Sequence, residues 1–193
     1  GVLALVCDST NVMLPGHSGS EAEVRQSLID LIAQKTGRVV VTTFSSNVAR
    51  IATIAKAAEA NGRQVVLAGR SLHRNVEAAR ACGYLNDLSL FSDEDEAGYL
   101  ARESTLILCT GCQGEPRGAL ARIADHEHRH IGLEAGDTVI FSSKIIPGNE
   151  RSIGRVQNRL VYEDIEVITE KDHFVHVSGH PAQEELAEYY GWV

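Results

Sequence analysis

Short apolar runs rich in β-branched residues recur along this chain at residues 2–7, 39–41, 65–68, 106–109, 138–141 and 174–177. Each is too short for a helix yet apolar at consecutive positions, the pattern of a strand covered on both faces. Amphipathic stretches separate them. Residues 21–35 place Val24, Leu28, Leu31 and Ile32 on one helical face, and 48–60 do the same with Val48, Ile51, Ala52 and Ala55. Further helical patterns cover 72–82, 118–126, 151–162 and 182–190. Alternation of this kind calls for a parallel sheet with helices on both sides, so the expected fold is α/β, a three-layer α/β/α arrangement of Rossmann-like shape. Helix punctuation agrees: Ser20 and Glu23 have the spacing of a capping box, and Gly37, Gly62 and Gly83 follow three expected helix ends. The acidic run at 92–96 is expected to be a solvated helix start. No repeat and no Pro- or Ser-rich linker divides the sequence, so residues 1–193 are expected to form one domain.

Composition narrows the function classes. A hydrophobic content of 44% over 193 residues is enough for a sizeable core. No stretch approaches the roughly 20 apolar residues that span a bilayer, and the opening residues lack signal-peptide flanks, so a soluble cytoplasmic protein is expected. Cys7, Cys82, Cys109 and Cys112 sit in or beside apolar runs, which favours free thiols and a reducing compartment. The net charge of −8 has the wrong sign for a general nucleic-acid-coating surface, so any RNA contact must be local.

Three strand-to-loop corners carry candidate chemistry. In FVHVSGH at 174–180, His176 and Ser178 share a face by strand alternation and His180 is expected to begin a helix. Corners of this kind sit at the sheet's carboxyl edge, where open α/β sheets bind ligands; the alternative is an exposed turn histidine with Ser and Gly serving turn geometry. In LVCDSTN at 5–11, Asp8 stands at the end of an apolar run, placed either to orient an imidazole or to cap the following loop. In TTFSSN at 42–47, hydroxyls converge with free backbone N–H groups where a helix dipole favours an anion; N-capping by Ser45 or Ser46 explains the same residues. Neither GRS at 69–71 nor TGCQGEP at 110–116 matches a dinucleotide fingerprint or a P-loop. The C-x-x-C pair Cys109 and Cys112 has no second pair, so its thiols are expected to be structural, and HEHRH at 126–130 lacks the aspartate of a metallo-β-lactamase H-x-H-x-D-H.

Taken in order, CDSTN, TTFSSNVARI, GRS-x-x-RN, TGCQGEP, FSSK-x-IPGNE and HVSGH resemble ribonuclease J, a β-CASP member of the metallo-β-lactamase superfamily, from residue 2 to about residue 185. The resemblance implies a β-CASP lobe that closes over RNA, with Asp8 as the acidic motif A residue and His180 as the motif B histidine of one catalytic pair. It also implies that Ser45, Ser46, His176, Ser178 and Gly179 belong to an RNA-phosphate pocket able to hold a 5′-monophosphate end. The sequence departs from the family at Cys112, where Ser is usual, and at Pro181, where a small residue is common.

No H-x-H-x-D-H or V-H-G-E motif occurs in the chain. The resemblance therefore implies a parent enzyme whose two zinc or manganese ions are held by a metallo-β-lactamase lobe outside both ends of this chain, a fragment inactive by itself, and a parent able to assemble as a homo-oligomer. The implied activity is hydrolysis of RNA phosphodiesters, 5′-to-3′ exonucleolytic and endonucleolytic, in RNA maturation and decay. Two alternatives stay open: a stand-alone nucleotide- or RNA-binding Rossmann-like module, and a related hydrolase acting on another substrate.

Overall fold

A computed structural model describes residues 2–192; Gly1 and Val193 lie outside the described residues. Five strands form one parallel sheet: β1 (Val39–Thr42), β2 (Gln64–Ala68), β3 (Thr105–Cys109), β4 (Thr138–Phe141) and β5 (Glu166–Ile168), in the order β2-β3-β1-β4-β5. Six α-helices accompany them among the described residues: α1 (Glu21–Ile32), α2 (Val48–Ala60), α3 (Arg70–Ala81), α4 (Ala119–Ala124), α5 (Glu150–Tyr162) and α6 (Gln183–Gly191).

Side-chain alternation divides the interior in two. Val39, Val41, Val65, Leu67, Leu106, Leu108 and Ile140 face α1, α2 and α3, whereas Val40, Val66, Ile107, Val139 and Phe141 face α4 and α5. The three-layer α/β/α expectation is met, because β1, β3 and β4 are buried at every position and must be covered on both sides. The path from β2 back to β3 shows how chirality shapes the connection. α3 lies on the same face as α2, and a direct return over that face would reverse the hand of the crossover. Instead the chain runs outward, pairs Ser92 in parallel with Val66 at the free edge of β2, and comes back over the other face through Ala97 and Leu100.

Local signals account for the ends of the elements. Ser20 and Glu23 form the capping box of α1. Gly62 and Gly83 take left-handed φ after α2 and α3, whereas Gly37 serves close packing against the carbonyl of Gly136. Residues 94–99 form turns in place of the expected helix start.

Two expected strands are absent. Residues 2–7 run as irregular, exposed chain, with Leu3 102% and Val6 94% accessible, because the N-terminal loop docks on the start of α6 in place of a sheet edge, through the Asn11–Ala182 bridge and the Gln183 N–H bond to Leu14 O. Residues 174–177 join no ladder, since side chains take their carbonyls. Ser142 Oγ donates to Val175 O at 2.7 Å, and Arg50 donates to Val175 O at 3.4 Å and Val177 O at 3.2 Å. The fifth strand is instead β5, three residues beginning with an exposed Glu166 that Lys35 pairs from across the loop.

The Arg50 side chain is fully buried and holds this region together. Its Nε and Nη2 donate to Glu21 at the start of α1, at 2.6 and 2.9 Å, and its Nη1 donates to the Ser142 hydroxyl and carbonyl after β4, at 2.8 and 3.1 Å. Burial alone would raise the Glu21 carboxyl, but the hydrogen bonds and charge of Arg50 outweigh it and hold Glu21 below the usual carboxylate range. Replacing Arg50 with Met removes every one of these donors and leaves Glu21 unpaired. Arg50→Met is expected to cost about 3 kcal/mol, the low end for breaking a buried pair because Glu21 keeps some water contact. Urea denaturation of the two proteins measures the difference.

Candidate active site

The carboxyl ends of β1 and β4 open into a groove of about 550 Å³. Phe44, Ser46 and Asn47 line it from the β1–α2 corner, Lys144 to Pro147 from the loop after β4, and His176 to His180 from the segment before α6. Thr10 and Asn11 close the rim.

At that rim Asp8 and His180, 172 positions apart in sequence, are in contact through Asp8 Oδ2 and His180 Nδ1. The other carboxylate oxygen accepts from the Thr10 backbone N–H at 2.7 Å and from the Thr10 hydroxyl at 2.6 Å. The Thr10 hydroxyl and His180 hold the Asp8 carboxyl well below the usual carboxylate range, so it is an anion at any physiological pH. An anion at Oδ2 requires the proton of the contact to sit on His180 Nδ1, which leaves Nε2 as the free ring atom. His180 is 52% and Asp8 40% exposed, so both can be reached from solution.

The backbone around His180 is fixed independently of its ring. Asn11 Nδ2 donates to Ser178 Oγ at 3.0 Å and to His180 O at 3.1 Å. Ser18 Oγ donates to the same carbonyl at 3.0 Å, and His180 N–H donates to Ser178 Oγ at 3.2 Å. The N-terminal loop is further tied to α6 where Gln183 N–H donates to Leu14 O and Ala182 pairs with Asn11 in parallel. His180 thus stands in a bend ahead of α6, which begins at Gln183, and does not open the helix as expected.

His176 and Ser178 line the same groove, as their shared strand face suggests. His176 Nδ1 lies 3.1 Å from Arg50 Nη1, which can only donate, so Nδ1 is an acceptor and the ring proton is on Nε2. Burial, with the Arg50 charge beside it, pushes the imidazole down to about 4. His176 is therefore a neutral donor at neutral pH.

Ser46 lines the groove, but the N-cap of α2 is Asn47, whose side chain accepts from Arg50 N–H at 3.0 Å. The Ser46 hydroxyl is thereby left for the groove. Ser45 is not among the lining residues, and its carbonyl accepts from Asn75 Nδ2 at 2.7 Å. Gly179 lines the groove with open space where a Cβ would stand.

Sequence reasoning passed over Asn11, Arg50, Gln113 and Lys144. A lone Arg followed at helical spacing by Ile54 and Ala57 was the available signal for Arg50. Gln113, in the TGCQGEP turn, positions the Lys144 loop: its Nε2 donates to Lys144 O at 2.9 Å, and its Oε1 accepts from Ile146 N–H at 2.9 Å and Asn149 Nδ2 at 3.2 Å. Gly114 in that turn has φ +70° and lies against the Ser152 backbone, closer than any side chain would allow.

All four cysteines are free, with Cys109 and Cys112 buried, and burial pushes the Cys109 thiol up to about 12. Cys109 and Cys112 are inert packing groups. Among the described residues no three His, Cys, Asp or Glu side chains converge to hold a metal ion, so these residues do not fit the two-ion site implied by the sequence resemblance. Among the described residues no helix is long and apolar enough to cross a membrane.

The three-layer sheet with a carboxylate–imidazole pair at its carboxyl edge has the architecture of a β-CASP domain, and residues 36–160 match the family described as ribonuclease J, beta-CASP domain. The whole chain is 51% identical to a ribonuclease J of Sinorhizobium meliloti and 44% identical to one of Mycobacterium tuberculosis, covering 34% and 35% of those proteins. Over 186 residues, 96% of the chain, it is 42% identical to a ribonuclease J of Thermus thermophilus, covering 32% of it. The chain belongs to the ribonuclease J family and spans about a third of the length of the curated relatives it matches.

The depressed imidazole sets a pH dependence. His176 protonates near pH 6.5 in the unfolded chain but only near 4 in the folded one, so between these values the unfolded state binds more protons. Stability is lost as pH falls from 6.5 towards 4, and the contribution levels off below that. A His176→Gln variant is expected to show a flatter dependence of Tm on pH across this window, by calorimetry at several pH values. Parallel profiles for the two proteins would contradict the neutral assignment.

Proposed function

We propose that this chain is the β-CASP lobe, residues 1–193, of a metal-dependent ribonuclease that hydrolyses RNA phosphodiesters. The observation that carries the reading is the contact of Asp8 with His180 at the rim of a groove lined by Ser46, Lys144, His176 and Ser178. Asp8 fixes the imidazole with Nδ1 protonated and Nε2 turned to the groove. Imidazolium Nε2–H can then stabilise negative charge on a phosphate oxygen or deliver a proton to the departing 3′ oxygen. Lys144, the Ser46 and Ser178 hydroxyls and the neutral His176 donor suit a phosphate, with Ser45 and Gly179 shaping the surrounding loops. Such a seat would accept a 5′-monophosphate end and bias the parent towards 5′-to-3′ exonuclease action alongside endonuclease action.

Two zinc or manganese ions of the parent would be bound by residues outside this chain, in a metallo-β-lactamase lobe, which leaves the isolated lobe inactive. The exposed apolar residues Val2, Leu3, Val6 and Met13 at one end of the chain, with Tyr190 and Trp192 at the other, suit a surface covered by that lobe. Cys7 Sγ, 3.3 Å from the Tyr190 hydroxyl, joins the two ends of the chain in one patch. Four free thiols suit a reducing cytoplasm.

His180→Ala in the metal-loaded full-length protein is expected to lower cleavage of a 5′-monophosphorylated RNA by roughly a hundredfold, as for loss of a positioned acid. Asp8→Asn is expected to lower the rate in the same assay, since the imidazole loses the carboxylate that fixes its tautomer and orientation. Near-normal rates in both would reduce His180 to a turn residue and favour a nucleotide- or RNA-binding module.

A further inference from the structure

A second depression of about 660 Å³ opens on the same carboxyl edge, at the ends of β2 and β3. Arg70 and Arg74 reach it from α3, Arg117 from the turn before α4, and Arg122 from α4. Among the described residues none of the four forms an ion pair with an acid, and Arg70, Arg74 and Arg117 make no side-chain hydrogen bond; Arg122 has only a 3.4 Å contact with Glu127 O. The one acid in the lining is Glu94, whose carboxylate lies 3.6 Å from His128 Nε2. His128 Nδ1 accepts from Ile131 N–H at 3.3 Å, so its ring proton is on Nε2, directed at Glu94. Glu94 is thus engaged, and the arginines face solvent without a counter-charge.

Two features of α3 set this cluster apart from an ordinary solvated face. The helix begins with Arg70 and has no acid in its first turn, so a cation sits at the positive end of the dipole. Arg74 stands one turn later on the same side, a like-charge pair that disfavours the helix. A sequence that accepts both costs in one place while bringing in Arg117 and Arg122 from a different connection has arranged the charge for a ligand. The backbone is drawn close there too: Gly69 at φ +121° packs against the Thr110 side chain, whose Oγ1 accepts from Ala119 N–H at 3.2 Å.

From this convergence we infer that the arginine cleft holds backbone phosphates of the RNA strand at a position away from the reacting phosphodiester. The inference rests on the ribonuclease reading. β3 is the immediate neighbour of β1 in the sheet, and neighbouring strands are about 4.8 Å apart, so cleft and groove lie within a few nucleotides of one another along one edge. Guanidinium groups contact phosphates in pairs and carry no base preference, so the cleft would add affinity and length dependence without sequence choice.

The test uses the full-length protein with nuclease-resistant oligoribonucleotides of about four and about fifteen nucleotides, read by fluorescence anisotropy across a salt series. Arg70→Gln/Arg74→Gln is expected to weaken the long oligomer about tenfold or more, to reduce the slope of log K against log salt by about 1.4 for two lost contacts, and to leave the short oligomer unchanged. Arg117→Gln is expected to act in the same direction. Unchanged binding of the long oligomer by both variants overturns the inference while the ribonuclease reading stands. Failure of the wild-type protein to bind either oligomer overturns both. Inorganic tripolyphosphate is the third probe: if it binds the wild type and not the double variant while long-oligomer affinity is unchanged, the cleft serves a small free polyphosphate and the RNA track is wrong.

Discussion

One buried guanidinium determines where the groove's functional loops lie. Arg50 joins the start of α1, the end of β4 and segment 175–177, which are otherwise unrelated in sequence. Burying a charge is costly unless it is paired and its donors are all used, and here Glu21, Ser142 and two backbone carbonyls use them. The hydrogen bonds it gives replace those a sheet neighbour would have given. Segment 175–177 is thereby held free of the ladder, and the residues that follow can turn back over the edge of the sheet. Ser178 and His180 sit where they do because that segment is anchored from below.

The same substitution of side chain for strand explains what the sequence conveyed and what it did not. β1, β3 and β4 were legible because burial on both faces leaves an unbroken apolar run. β5 was not, because an edge strand tolerates Glu166 and needs only Ile168 inside. Residues 2–7 show the reverse error, in which apolar content alone suggested a strand, whereas the loop that follows them is held at the start of α6 and not on the sheet. At the site, composition and spacing pointed separately to Asp8, Ser46, His176 and His180, but only the family resemblance joined Asp8 to His180. No local pattern encodes a contact between residues so remote. Arg50, Gln113 and Asn11 stayed hidden because their roles lie in carbonyls and loops that only the folded chain assembles.

Charge is distributed with similar economy. The chain is acidic overall, and several of its cations are spent inside it: Arg38 and Arg63 donate to backbone carbonyls at the amino edge of the sheet, and Arg102 pairs with the buried Asp137. The carboxyl edge is different, because Lys144 and the arginines beside α3 and α4 remain open to an anion. An acidic protein can in this way present a polyanion with one favourable edge and a repulsive surround, which restricts where the strand lies and in which direction it approaches.

The separation of Asp8 from His180 also ties chemistry to the completeness of folding. Closing a loop of 172 residues gives no local reward until the intervening layers are in place, so the pair cannot form in a chain that has only condensed part of its sheet. The groove beside the pair is no more local, since Ser46, Lys144 and Ser178 reach it from separate connections and wait on the same layers. A half-folded molecule therefore has neither the complete groove nor the Asp8–His180 contact. Maturation of the fold and arming of the site become a single cooperative event.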